Sequence, residues 1–155
     1  NNLFLIELLK VSGLYGKALN SHHLYFRLGP RLNAPGRMDD ATFLIDLFLY
    51  PEKKKVEEGI ERIEKYNRLR QETQERVFKE ALKEVEGEKI IVTYKPHWHL
   101  GVLGLVASKL VQKTGKISFC LSKEGDILKG SGRSLPDISL IEILQRSKNH
   151  LENYG

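Results

Sequence analysis

Apolar residues recur at helical spacing near the start of the chain. Leu3, Phe4, Ile6, Leu8 and Leu9 predict a helix over 2–11, and Phe43, Leu44, Leu47 and Phe48 predict another over 41–49. Asp39 or Asp40 is placed to cap the second. The segment between the two shows neither period and reads as a loop-rich connection. From Pro51 to about residue 86 a single helical pattern runs on, interrupted only by Gly59, and Pro51 suits its first turn. Val56, Ile60 and Ile63 form an apolar stripe at one end, and Val77, Ala81, Leu82 and Val85 form another. Only Tyr66 and Leu69 lie between. A helix that is apolar at both ends and charged in its middle bridges two packed bodies. The pattern therefore predicts a connector whose middle, near Tyr66 to Arg76, faces solvent.

After Gly87 the period changes. Lys89 to Tyr94 is β-branched and reads as a strand, and Val102 to Val111 reads as a helix with small residues Gly104, Ala107 and Ser108 for close packing. Ile117 to Leu121 is a second strand, Ile127 to Lys129 is short and extended, and Ser139 to Leu151 is an amphipathic helix. Strand, helix, strand, strand, helix describes a compact unit. The expected fold class is α/β: a small mixed-sheet α/β domain over 88–155, a long connector helix over 51–87, and a helical piece over 1–50.

Composition limits what this unit can be. With 155 residues and 41% hydrophobic content, the chain can form one ordinary domain, or a small domain plus part of another. Its apolar runs fall short of the roughly 20 residues needed to span a bilayer, and no secretory leader is visible, so the expected setting is soluble and cytoplasmic, without a membrane partner. Cys120 is the single cysteine and sits in an apolar run, which excludes a disulfide framework and points to a buried thiol. The chain begins at Asn1, its only methionine is Met38, and it stops after Asn153-Tyr154-Gly155 without a capping or polar tail, so both ends read as cut.

The net charge of +5 is unevenly spread. From Lys89 to Arg133 there are eight Lys/Arg against only Glu124 and Asp126, a balance that suits a polyanion, although a solvated basic surface would give the same count. Two glycine-rich runs sharpen the picture. In Gly130-Ser131-Gly132-Arg133-Ser134, a turn without bulky side chains would open backbone N–H groups to a ligand, and Arg133 adds a planar fork matched to phosphate oxygens. In Trp98-His99-Leu100-Gly101-Val102-Leu103-Gly104, the glycines clear the first turn of a helix, where N–H groups and the dipole favour an anion. His99 either faces the ligand or caps the helix. Trp98 either stacks on a base or packs at a domain edge.

These runs carry a family resemblance. Pro30-Arg31-Leu32-Asn33-Ala34-Pro35-Gly36-Arg37 resembles the P-R-[IL]-N-A-x-G-R segment of RecJ, the single-strand-specific exonuclease family of the DHH phosphoesterase superfamily. Trp98-His99-x-Gly101-Val102-x-Gly104-x-Val106-Ala107-Ser108-Lys109-Leu110 and Gly130-Ser131-Gly132-Arg133-Ser134 resemble two further motifs of that family in the same order, and Asn67-x-x-Arg70-Gln71 also fits.

The resemblance implies the tail of a catalytic DHH domain, a connector helix and most of a DHH-associated nucleic-acid-binding domain. It implies a parent enzyme that hydrolyses phosphodiesters of single-stranded DNA, acts in DNA repair and recombination, and uses Mn²⁺ or Mg²⁺. The metal-binding motifs of that family lie upstream of this segment, so no metal is expected on this chain; Ser21-His22-His23 lacks the leading Asp and reads as a polar helix-end pair. The expected partner is single-stranded DNA, with RNA as a further possibility. The implied phosphate and strand contacts are Gly130, Ser131, Gly132, Arg133, Ser134, His99 and Gly101, together with Arg31, Asn33 and Arg37. Arg31 could instead pin its loop to a carboxylate, and Asn33 could hydrogen-bond backbone locally. Two other function classes stay open: a DHH-family relative acting on oligoribonucleotides or cyclic dinucleotides, which shares the turn but which the P-R-L-N-A-x-G-R segment argues against, and a catalytically silent replication scaffold.

Overall fold

In the computed structural model, which describes residues 2–85, 87 and 89–155, the chain divides into two compact units, Asn1–Glu72 and Thr73–Gly155. The division falls inside the long helix rather than at either of its ends. Each unit is described by itself.

The first unit is helical. Helix α1 (Leu3–Val11) starts where Asn2 adopts extended backbone and its side-chain oxygen accepts from the Leu5 N–H. Helix α2 (Ser21–His23) passes through a π-helical turn, Leu24–Leu28, into α3 (Gly29–Met38), and α4 (Phe43–Leu49) follows. The connection expected to be loop-rich is therefore largely helical. It offers no apolar period because α3 contains two prolines and two glycines and buries only Ala34 and Pro35. The π turn closes with the Gly29 N–H on the Leu24 carbonyl, and a Cβ at Gly29 would stand 2.8 Å from that same oxygen, so glycine is required there. Neither Asp39 nor Asp40 caps α4. Asp40 accepts from the Thr42 hydroxyl and from the N–H of Thr42, the residue before the helix, the latter at 3.0 Å, and holds the turn instead; these bonds, the hydroxyl's foremost, keep its carboxyl below the usual range.

Helix α5 (Lys53–Leu82) supplies one wall of the first unit's core, where Val56, Ile60 and Ile63 join Phe4, Leu8, Leu14, Leu28 and Leu47. Phe4 meets Phe48 edge-on at 4.7 Å between centroids. The expectation of an exposed middle for α5 is corrected. The buried stripe continues through Asn67, Arg70 and Thr73 to Val77 and Ala81, and it is Leu69 that lies in solvent, 42% exposed. The face is fixed by the three-to-four-residue repeat, and polar side chains occupy its centre. Arg70 Nη2 donates to Asn67 Oδ1 at 3.0 Å, a hydrogen bond made within the buried stripe.

The second unit is a three-stranded mixed sheet with a crossover helix. Strand β1 (Ile90–Tyr94) pairs parallel with β2 (Ile117–Glu124), which pairs antiparallel with β3 (Ile127–Arg133). Gly125, at φ +61°, makes the tight turn between β2 and β3. The parallel pair needs a crossover, supplied by α6 (Leu100–Thr114), which ends at left-handed Gly115. Val102, Leu103, Val106, Ala107 and Leu110 of α6 are buried, as are Ile91 and Thr93 of β1 and Ser118, Cys120 and Ser122 of β2. Burial pushes the Cys120 thiol above its ordinary pKa, which suits an inert core side chain. The amphipathic helix expected over 139–151 is shorter: α7 (Leu140–Arg146), capped by Ser139, followed by a 3₁₀ turn at Lys148–His150. No helix among the described residues is long and apolar enough to cross a membrane.

Candidate nucleic-acid interface

Strand β3 corrects the reading of Gly130-Ser131-Gly132-Arg133 as a turn. These residues are extended and paired with Leu121, Cys120, Phe119 and Ser118. The two glycines do not open N–H groups to a ligand. A Cβ on Gly130 would stand 2.5 Å from the Cys120 carbonyl and 2.4 Å from Leu121 Cδ2, and one on Gly132 would stand 2.5 Å from the Phe119 ring. They are glycines because β2 occupies the space. Turn-type residues inside a strand signal such close approach.

Alternation along the strand puts Ser131 and Arg133 on the opposite face, the one that carries Cys120 and lies toward α6. There they meet Gly104. A Cβ built at Gly104 would be 3.1 Å from Arg133 Nη2 and 3.5 Å from Ser131 Oγ, so both polar groups rest against the bare backbone of the helix. Arg133 Nη1 donates to the Gly132 carbonyl at 2.7 Å, which steadies the guanidinium without neutralising it. Ser134 follows with its hydroxyl oxygen buried and unpartnered among the described residues.

One turn back along α6, His99 is the N-cap: its Nδ1 accepts from the Gly101 N–H at 3.1 Å. Of the two readings for His99, capping is what the geometry holds. The bond fixes Nδ1 as acceptor, so a neutral His99 carries its proton on Nε2. Trp98 is buried, 3% exposed, and cannot stack on a base. Its Nε1 donates to Glu80 Oε2 at 2.7 Å, and Ser122 Oγ donates to its carbonyl, also at 2.7 Å.

The basic run is less free than its count suggests. Lys95 pairs with Glu84, Lys109 with Glu75, Lys123 with Asp126 and Lys129 with Glu124. Two of these acids, Glu75 on α5 and Glu84 just past its end, lie outside the window in which the charge was counted. Arg133 makes no ion pair among the described residues, which separates it from those lysines.

In the first unit, Arg31, Asn33 and Arg37 lie on α3. Arg31 Nε donates to Glu64 Oε1 of α5 at 2.6 Å and Nη1 to the Arg27 carbonyl at 2.9 Å, the pinning alternative. Asn33 is exposed within the helix rather than in a turn. Arg37 is half-buried. Burial first, and the Arg37 charge second, lower the pKa of Arg70. Arg70 entered the sequence reading only through the Asn67-x-x-Arg70-Gln71 match and not as a site residue; its burial was signalled by the i, i+3 step from Asn67 in phase with Val56, Ile60 and Ile63. His22 and His23 sit at a helix end with the His22 ring 4.7 Å from Phe26, as a polar helix-end pair would. Among the described residues no three His, Cys, Asp or Glu side chains converge on a point that could hold a metal ion, so the donors present do not fit a divalent cation and no chemical step is assigned through one.

No family model matches the chain. Among curated proteins it is 35% identical, along its full length, to the single-stranded-DNA-specific exonuclease RecJ of Bacillus subtilis and 31% identical, over 92% of its length, to that of Thermus thermophilus. It spans 20% and 21% of those two proteins. Among solved structures, Thermus thermophilus RecJ in complex with Mg²⁺ covers all of the chain at a TM-score of 0.89 with 28% identity, the chain matching 24% of that structure. An exonuclease RecJ bound to manganese covers 99% at a TM-score of 0.85, again with 28% identity, and the chain matches 38% of it.

Proposed function

Because this chain is a segment of the RecJ family, matched from end to end, we propose that it is the substrate-binding portion of a single-stranded-DNA-specific exonuclease, whose remaining length carries a Mn²⁺ or Mg²⁺ centre. The second unit acts as the DHH-associated domain, and the ligand is the phosphate backbone of an unpaired strand. The observation that carries this reading is the pairing of Ser131 and Arg133 on the α6-facing side of β3, with Arg133 held by a backbone carbonyl and, among the described residues, by no carboxylate.

The chemistry follows from the parts. A guanidinium offers two parallel N–H donors to a phosphate, Ser131 offers a hydroxyl beside them, and the N-terminal turns of α6 add their positive dipole end. Because Trp98 is buried, single-strand selectivity comes from the shape of the phosphate path and not from stacking on that ring. Arg37 is the first unit's candidate strand contact; Arg31 serves there as a pin. The test is a titration with a fluorescent single-stranded oligothymidylate. Arg133→Ala weakens binding about tenfold or more, as loss of a charge-assisted contact should, while Lys123→Ala, already paired with Asp126, changes it little. Equal weakening by the two would leave only a generic basic surface.

A further inference from the structure

Interior glycines in this fold are explained by different neighbours. At Gly59 a Cβ would strike Leu47 at 2.3 Å, at Gly130 the Cys120 carbonyl and at Gly132 the Phe119 ring, all parts of the packed interior or the sheet. Gly104 is different. Its one tight neighbour, at 3.1 Å, is the tip of the Arg133 side chain, and its next is the Ser131 hydroxyl at ordinary contact distance. Outside its own stretch of helix, and among the described residues, no core atom and no backbone atom is among its three nearest neighbours. A long arginine can swing away from an added methyl group, so packing does not demand glycine at this position. Helix stability argues against it as well, since glycine inside a helix is worse than alanine. A residue that weakens the helix and is not required by the core is there for what it lets approach.

We propose that Gly104 is a positioning residue for strand binding: the side chain it lacks is the space in which the Arg133 guanidinium and the Ser131 hydroxyl sit against α6 and present their donors to a phosphate. The inference rests on the reading of Ser131 and Arg133 as phosphate contacts and adds a trade. Alanine at this position moves the guanidinium outward by a few tenths of an ångström or more, misaligns its fork and improves the helix at the same time. Stability and binding therefore change in opposite directions, which a merely structural glycine would not produce.

The experiment is a double-mutant cycle on the full chain, read by oligothymidylate binding and by thermal unfolding. Gly104→Ala is expected to weaken binding about three- to tenfold and to raise Tm by about 2–4 °C. In an Arg133→Ala background the same substitution is expected to leave binding almost unchanged while still raising Tm, because the group it displaces is gone. A fall in Tm in the single variant, or full weakening in the Arg133→Ala background, overturns the positioning role alone. Unchanged binding by Gly104→Ala while Arg133→Ala weakens it overturns the role as well. If Arg133→Ala itself leaves binding intact, the phosphate reading fails and this inference fails with it.

Discussion

Trp98 and Glu80 are joined at 2.7 Å, indole Nε1 to carboxylate Oε2, and the same oxygen lies 3.2 Å from His97 Nε2. The bond ties the segment entering α6 to the last turns of α5. It gives Trp98 a structural role. Trp98→Phe keeps most of the buried ring and loses a hydrogen bond to a charged acceptor, so unfolding free energy falls by about 1–3 kcal/mol. Oligothymidylate affinity, measured at a temperature where the variant is folded, stays the same; a selective loss of single-strand binding would return Trp98 to the interface.

Acid sensitivity follows from the same carboxylate. The hydrogen bond from Trp98 foremost, then that from His97, holds the Glu80 pKa below its ordinary 4.5, and Lys109 does the same for Glu75. A group whose folded pKa is depressed contributes stability above its unfolded pKa and loses it as pH falls through the folded value. Tm should therefore hold near neutrality and decline as pH drops below about 4.5. In Glu80→Gln that decline is shallower, as seen by unfolding scans across the acidic range.

The two glycines of β3 are needed by the sheet. Gly130→Ala and Gly132→Ala place a methyl group within 2.5 Å of the Cys120 carbonyl and the Phe119 ring respectively, and overpacking of this kind costs about 1–3 kcal/mol. Both variants lower Tm, the reverse of the direction expected at Gly104.

Arg31 is a pin in the first unit. Its ion pair with Glu64 is mostly buried, with side chains 18% and 29% exposed. Arg31→Ala should reduce stability by about 1 kcal/mol, and Glu64→Ala made in the Arg31→Ala background should add less than it does alone. Strand affinity is expected to be unaffected, which separates Arg31 from Arg133.

Much of this architecture was legible because periodicity reports directly on burial. The apolar repeats located α1, α4 and both ends of α5, and β-branched runs located β1 and β2. The motifs placed Arg133 and His99 in one unit. Where the reading failed, a local rule met a tertiary exception. Glycines that suggest a turn sat in a strand because Phe119 and Leu121 cross over them. The centre of α5 looked exposed because Asn67, Arg70 and Thr73 are polar, yet they hold the same face as Val56 and Val77. The excess of lysines looked free because Glu75 and Glu84 lie outside the counted window and answer two of them. The partners of the glycines and of the lysines are not adjacent in sequence, so no local pattern could supply them, whereas the α5 stripe did leave a local signal in the i, i+3 step from Asn67 to Arg70.

The central claim is that Arg133 contacts a strand phosphate, and the salt dependence of binding tests it most directly. Each phosphate contact releases condensed counterions, so log affinity for single-stranded DNA falls with log salt with a slope of about 0.7 per contact. Oligothymidylate titrations of the unsubstituted chain and of Arg133→Ala, over a series of salt concentrations, should give slopes differing by about one contact, with the variant shallower. Parallel lines, with the variant merely offset or superimposed, would contradict the claim and remove Arg133 from the phosphate path.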